Sequence, residues 1–242
     1  GQPSPRRCLT KPELAPRGFP RQPSAVNRFP LRLVPLASLF LLLLGVLAPG
    51  LGCTPQGDTG IGPEGYSDNF DRAQLGPDWN VTGGAWRLVE GGLRIRDARN
   101  HPLWLRRTLP RDVRVEFDAT TDTHDIKVEI FGDGVSHALS ESYTATSYVV
   151  IFGGWNNQHN VLARMDEHAE DRVMGAPLRV QPNHTYHFVI ERRGSVISVD
   201  VDGQRLMSLD DPEPLAGRGH DHFGFNNWSS DVTFDNLRIL PL

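Results

Sequence analysis

Asp125, Lys127 and Glu129 are spaced by two in the run Asp125-Ile126-Lys127-Val128-Glu129-Ile130-Phe131, which puts all three on one face of an extended strand. Two carboxyl groups about 5–5.5 Å apart suit retaining glycosidic cleavage. The same groups, balanced by Arg114 and Lys127, also make an ordinary solvated sheet face with cross-strand ion pairs. Glu116 and Asp118, in Val113–Ala119, are expected to face Glu129 from the neighbouring strand. If Val161, Ala163 and Met165 face a core, then Leu162, Arg164 and Asp166 share the outer face with Glu129. An arginine among carboxylates clamps a ligand or merely neutralises them.

A second chemistry lies in Gly153-Gly154-Trp155-Asn156-Asn157-Gln158-His159-Asn160 and in Asn226-Asn227-Trp228-Ser229, where a Trp sits beside a run of amides. A flat indole stacks on the C–H face of a pyranose, while amide and guanidinium groups bond its hydroxyls. The candidate ligand-binding residues are therefore Trp155, Asn157, Arg164, Glu129, Glu116, Asn226 and Trp228, with Trp104 and His101 as a further aromatic site. The competing reading makes each Trp a core residue and each Asn a turn former. Trp79 and Trp86 are assigned to the core.

His220-Asp221-His222 places two imidazoles two residues apart, a spacing open to metal ligation. No third ligand is evident, and His159, His168 and Asp166-Glu167 join them only if the fold brings them there. No metal site is assigned; loop or strand-edge histidines are the simpler reading. There is no nucleophile-elbow motif and no Gly-rich phosphate loop. The sequons at Asn80, Asn183 and Asn227 matter only in a eukaryotic secretory path.

After residue 65 the apolar period is two. Val113, Val115 and Phe117 alternate with Arg114, Glu116 and Asp118; Ile126, Val128 and Ile130 with Lys127 and Glu129; Tyr186, Phe188 and Ile190 with His187 and Glu191. Asp202-Gly203, between such runs, is a two-residue hairpin signal. Tyr148–Trp155 is apolar on both faces, so it predicts a central strand or one whose second face holds an aromatic platform. No segment reads as an amphipathic helix of three turns. Regular strands without helices predict an all-β fold, a sandwich or barrel.

The opening Asp68-Asn69-Phe70-Asp71-Arg72, Leu75-Gly76-Pro77-Asp78-Trp79, Gly83-Gly84-Ala85-Trp86-Arg87-Leu88 and Gly91-Gly92-Leu93 resembles the start of concanavalin A-like (laminin G/glucanase-type) jelly rolls. Tyr186–Gly203 is similar to their common hairpin. Phe223-Gly224-Phe225 with Val232–Ile239 resembles their closing pair. The resemblance covers about 66–242. It implies a two-sheet antiparallel jelly roll whose N-terminal strand pairs with the C-terminal one. Family 16 glucanases on this fold carry Glu-x-Asp-x-x-Glu, and Lys127 stands here where their central acid would be, which argues against their mechanism. The closing strands and the Gly-Gly-x-Trp opening also look similar to 3-keto-disaccharide hydrolase-type domains. That likeness implies Glu129, Asp166 and His222 as acid/base groups. A structural Ca²⁺ is admissible by analogy with related jelly rolls, although no Asp-rich loop has ligand spacing; no other cofactor is expected.

The chain has 242 residues and a formal charge of −4, and only Lys11 and Lys127 among its basic residues are lysines. Residues 1–52 hold seven basic residues and one acid, which leaves 18 basic against 28 acidic residues and a net charge of −10 beyond. An acidic body argues against general nucleic-acid binding, since little neutralises the phosphates. Residues 1–32 read as a disordered basic stretch or a mis-assigned upstream extension. Residues 33–52 read as a signal h-region and a lipobox ending at Gly52-Cys53, with Gly50 where lipoboxes favour Leu. Cys53 would carry the lipid; an uncleaved anchor or a plain secretory signal are the alternatives. Residues 53–65 are expected to be a flexible tether, and 66–242 the sandwich. Three functions follow: an exported, cell-surface or outer-membrane lipoprotein that binds glycan, a saccharide hydrolase, or an adhesive lipoprotein with a protein partner. The expected partners are a saccharide and, through the lipid, the membrane.

Overall fold

The computed structural model describes residues 58–139 and 143–242. Cys53 and the segments 1–32 and 33–52 lie outside them. The period-2 runs form two antiparallel sheets packed face to face. One sheet runs, in spatial order, Val173–Met174, His159–Arg164, Tyr148–Gly153, Ile126–Gly132, His222–Asn226, Leu103–Leu105 and Trp79–Val81. The other runs Gln204–Asp210, Val196–Val201, Thr185–Arg193, Val113–Thr121, Asp231–Pro241, Gly92–Arg96 and Arg87–Val89, with Tyr66–Asp68 also paired to Asp231–Pro241. The fold is the all-β sandwich that the alternation predicts, in the two-sheet antiparallel jelly-roll form that the resemblance implies. The N-terminal strand pairs with the C-terminal one as expected, Ser67 opposite Arg238.

The core lies between the sheets. Phe117 stacks on Phe188 at 4.8 Å, and Phe225 packs against Phe234 at 4.4 Å and edge-on to Phe117 at 5.5 Å. Aromatic pairs at such spacings add to their area burial. Asp202 and Gly203 both take positive φ, 50° and 75°, as a primed two-residue hairpin requires. Asp68 ties the opening together. It accepts hydrogen bonds from the Phe70 amide (2.9 Å), the Trp79 indole (2.9 Å) and Arg72. Burial works to raise its carboxyl, but Arg72, Trp79 and the Phe70 amide outweigh burial and hold it below the usual carboxylate range.

Three expectations are corrected here. Glu116 does not neighbour Glu129: the chain changes sheets between Val113–Thr121 and Ile126–Gly132, and Glu116 sits opposite Val189 in the other sheet, bonded to Arg114. The facing of His159–Arg164 is reversed. Leu162 joins the main core, while Val161 and Ala163 join a second apolar cluster on the far face of the sheet with Val149, Ile151 and Trp155. The tether expected over 53–65 is docked from residue 58: Thr59–Gly60 runs parallel to Arg107–Thr108, and Asp58 meets His222 at 3.0 Å.

Candidate functional site

The seven-stranded sheet buries both of its faces, so its second face carries a layer of its own. Lys127 and Glu129 project there from Ile126–Gly132, opposite Ile151 and Val149 of the next strand. Asn226 and Gly224 adjoin from the other side. Lys127 and Glu129 therefore share a face as expected, but it is interior, and Asp125 precedes the strand. Lys127 is 2% exposed and Glu129 0%.

Glu129 is held by the Tyr143 hydroxyl at 3.0 Å, the Asn226 amide at 2.7 Å and the Ser147 hydroxyl. Burial pushes its carboxyl well up, against those donors and the Lys127 charge. One step along, the Lys127 ammonium donates to Asn100 Oδ1 at 2.6 Å and to Glu167. Asp125 lies just before the strand at φ 67°. Its carbonyl is bonded by Ser230 Oγ at 2.8 Å, and Asn227 ties Ser230 to the Ala98 amide. Burial pushes the Asp125 carboxyl up; Lys127 opposes this and Glu167 adds to it.

A cavity of about 350 Å³ opens over this layer. Asp125, Lys127, Asn100, Glu167 and Ile151 line it, with Trp155 and Trp228 as aromatic walls and His124, His168, Asn156 and Ser229 completing it. Each wall is backed by a cation: Arg172 lies 5.5 Å from the Trp155 ring and Arg99 4.7 Å from Trp228. Trp155 is presented by an unusual turn. Gly153, Trp155, Asn156 and Asn157 all adopt left-handed conformations, φ 78°, 49°, 58° and 63°. Gly and Asn tolerate this region; Trp does not, at about 1–2 kcal/mol. The strain is held by two bonds between the Asn157 side chain and the Val180 backbone, each 2.8 Å, and by Asn160 on the Gly153 amide, 2.8 Å. Strain of this kind persists where surrounding structure over-determines it, and it clusters at ligand sites.

Of the residues that type and spacing single out, Trp155 and Trp228 line the cavity. Glu129 and Asn226 form the buried layer beside it, bonded to each other. Asn157 is spent on the Val180 backbone and shapes the turn. Arg164 lies on the opposite face of the sheet, where it reaches Asp211 at 3.0 Å, because its facing is reversed. The acid/base set Glu129, Asp166 and His222 does not assemble, and none of the three lines the cavity. Asp166 accepts the His168 amide at 2.8 Å and His222 is paired with Asp58. His220 and His222 diverge, His220 bonding the Thr146 carbonyl at 2.7 Å. Among the described residues no cluster of three or more His, Cys, Asp or Glu side chains is placed to hold a metal. Trp104 is fully buried, its indole donating to the Ser136 carbonyl at 2.9 Å, and His101 stacks on His137 instead. Lys127, Asp125 and Glu167 were visible in the sequence as charges. Only folding joins Glu167 to them, and Asn100 carried no signal at all.

A family model described as Farnesoic acid 0-methyl transferase matches residues 112–238, more than half of the chain. No curated protein matches the chain. Among solved structures, a protein of unknown function with a galectin-like fold from Bacillus subtilis is 13% identical at TM-score 0.55, covering 72% of this chain and 94% of its own. The carbohydrate binding module CBM66 from Bacillus subtilis is 15% identical at TM-score 0.51, covering 67% and 95%. A laminarinase from Flavobacterium sp. UMI-01 is 7% identical at TM-score 0.51, covering 72% and 98%. At these identities the likeness is one of fold, and the fold is shared by proteins described as binder and as enzyme.

Proposed function

The chain belongs to the family described as Farnesoic acid 0-methyl transferase, and from the chemistry of its cavity we propose that it is a glycan-binding module of the concanavalin A-like type. The observation that carries this reading is Trp155, held in a strained left-handed turn at the mouth of a cavity floored by Asp125, Lys127 and Asn100. Two indole walls desolvate the C–H faces of a sugar ring, and the polar floor takes its hydroxyls. Charged and amide groups at the floor suit a polyhydroxylated ligand better than an isoprenoid chain. The fold likeness to a carbohydrate binding module supports the same reading.

Binding is favoured over hydrolysis because the acid/base groups implied by the 3-keto-disaccharide hydrolase resemblance do not converge. The uncharged apolar run over 33–48 after Arg28 and Arg32, followed by Gly52-Cys53, supports export and tethering by lipid at Cys53, on the outer membrane or cell surface. The test is a glycan array probed with the full chain in a sugar-free detergent, with and without Ca²⁺. Saturable binding to a defined set of glycans is expected. Binding to none, together with methyl transfer to farnesoic acid, would replace this reading with the family's printed activity.

A further inference from the structure

Among the described residues, the floor of the cavity sets a donor, Lys127, beside an acceptor, Asp125. Lys127 has three N–H donors, and two are taken by Asn100 and Glu167. Asp125 is 8% exposed and lines the cavity. Among the described residues no side chain donates a hydrogen bond to its carboxylate, and the Lys127 ammonium acts on it only as a nearby charge. A carboxylate that faces a cavity at so little exposure has acceptor sites that a ligand hydroxyl can fill. The Asp125 backbone carbonyl is held from behind by Ser230 Oγ at 2.8 Å, which fixes the turn from which the side chain enters the cavity.

We infer that the cavity reads two adjacent hydroxyls of an uncharged sugar, one donating to the Asp125 carboxylate and its neighbour accepting from the Lys127 ammonium. This rests on the glycan reading above and names the ligand class of that same site. A hydroxyl is both donor and acceptor, so adjacent hydroxyls meet an acceptor and a donor side by side without leaving a charge unpaired. A uronate would bring its carboxylate against Asp125 and Glu167. An ammonium sugar would meet Lys127. Either charged class, drawn to the floor group of opposite sign, is set at the same time against the one of like sign, so repulsion offsets the attraction, whereas a pair of hydroxyls meets neither penalty. Lys127 is the only lysine among the described residues, where every other basic side chain apart from histidine is arginine. A compact ammonium with independent donors fits this geometry, whereas a planar guanidinium would commit its fork to Glu167.

The test titrates the full chain, in a sugar-free detergent, with the methyl glycosides of glucose, mannose, galactose and fructose, their monodeoxy analogues, glucosamine and glucuronate. Asp125→Asn is titrated alongside. Asn tolerates the left-handed backbone at this position, so the variant keeps the turn. At least one uncharged glycoside is expected to bind. Loss of either of two adjacent hydroxyls should weaken it by about tenfold or more, as should Asp125→Asn with the melting temperature not lowered. Glucosamine and glucuronate should each bind about tenfold less well or worse. A charged sugar as the tightest ligand, dependence on one hydroxyl alone, or indifference to Asp125→Asn would overturn this inference and leave the glycan reading standing. Binding of none of the probes would overturn both. Should Asp125→Asn fail to fold, the deoxy series on the unaltered chain decides by itself.

Discussion

Replacing Glu129 by alanine is expected to cost about 3–5 kcal/mol, measured by urea unfolding at neutral pH. Three donors, from Tyr143, Ser147 and Asn226, converge on a carboxyl with no solvent exposure. Each donor left buried without a partner costs about 1–3 kcal/mol, and the void left by the truncated side chain adds to that. Glutamine keeps the shape and offers a carbonyl to the same donors, so Glu129→Gln should be far milder. The sign of its pH dependence follows from the direction of the shift. Burial raises the folded carboxyl above its unfolded value of about 4.3. The folded state therefore holds a proton that the unfolded chain has released. Stability from this group is fully present below about pH 4.3 and is lost as pH rises through the folded value. Glu129→Gln removes that loss, so its stability relative to the unaltered chain should improve as pH rises above about 4.3. A relative stability independent of pH would contradict this.

The second large effect belongs to the main core. Phe188 is 1% exposed, stacked on Phe117 at 4.8 Å and set edge-on to Phe152 at 5.9 Å. Phe188→Ala should cost about 3–5 kcal/mol, since a void between two packed sheets closes only partly. His187 is the neighbouring residue on the same strand and faces solvent, where its ring meets Asp118 at 2.8 Å. His187→Ala should cost about 0.5 kcal/mol or less, the range of surface changes and exposed ion pairs. Equal losses at the two positions would show the strand facing to be wrong.

The alternation of Tyr186, Phe188 and Ile190 with His187 and Glu191 makes that facing legible from the sequence alone. A two-state pattern leaves one choice for a strand with one wet side. His159–Arg164 lacks such a wet side. Val161 and Ala163 are apolar and so is Leu162, because both faces of that sheet are covered, and alternation cannot orient a strand buried twice. For that reason alternation alone puts Arg164 on the wrong face. Strand succession puts Glu116 beside Glu129 because it does not reveal where a jelly-roll chain changes sheets. The Trp/Asn segments were legible because Trp155 and Trp228 each sit where a strand gives way to a turn. Glu167 and Asn100 were not, because their meeting with Lys127 joins three segments far apart in the chain. Nor did the sequence show that Asn157 would serve the backbone of Val180 and so build the turn that carries Trp155.

The most direct test of the glycan site is the affinity of Trp155→Ala for the glycan that the array selects, with its melting temperature recorded beside it. Trp155 is half-buried and packs on the second apolar cluster, so its loss should cost stability of about 1 kcal/mol, a fall of roughly 2–4 °C. Affinity should fall by about 1–3 kcal/mol, roughly five- to a hundred-and-fifty-fold, because the wall that desolvates the sugar is gone. A folded Trp155→Ala protein that binds the glycan as tightly as the unaltered chain would place the site elsewhere and contradict the proposed function.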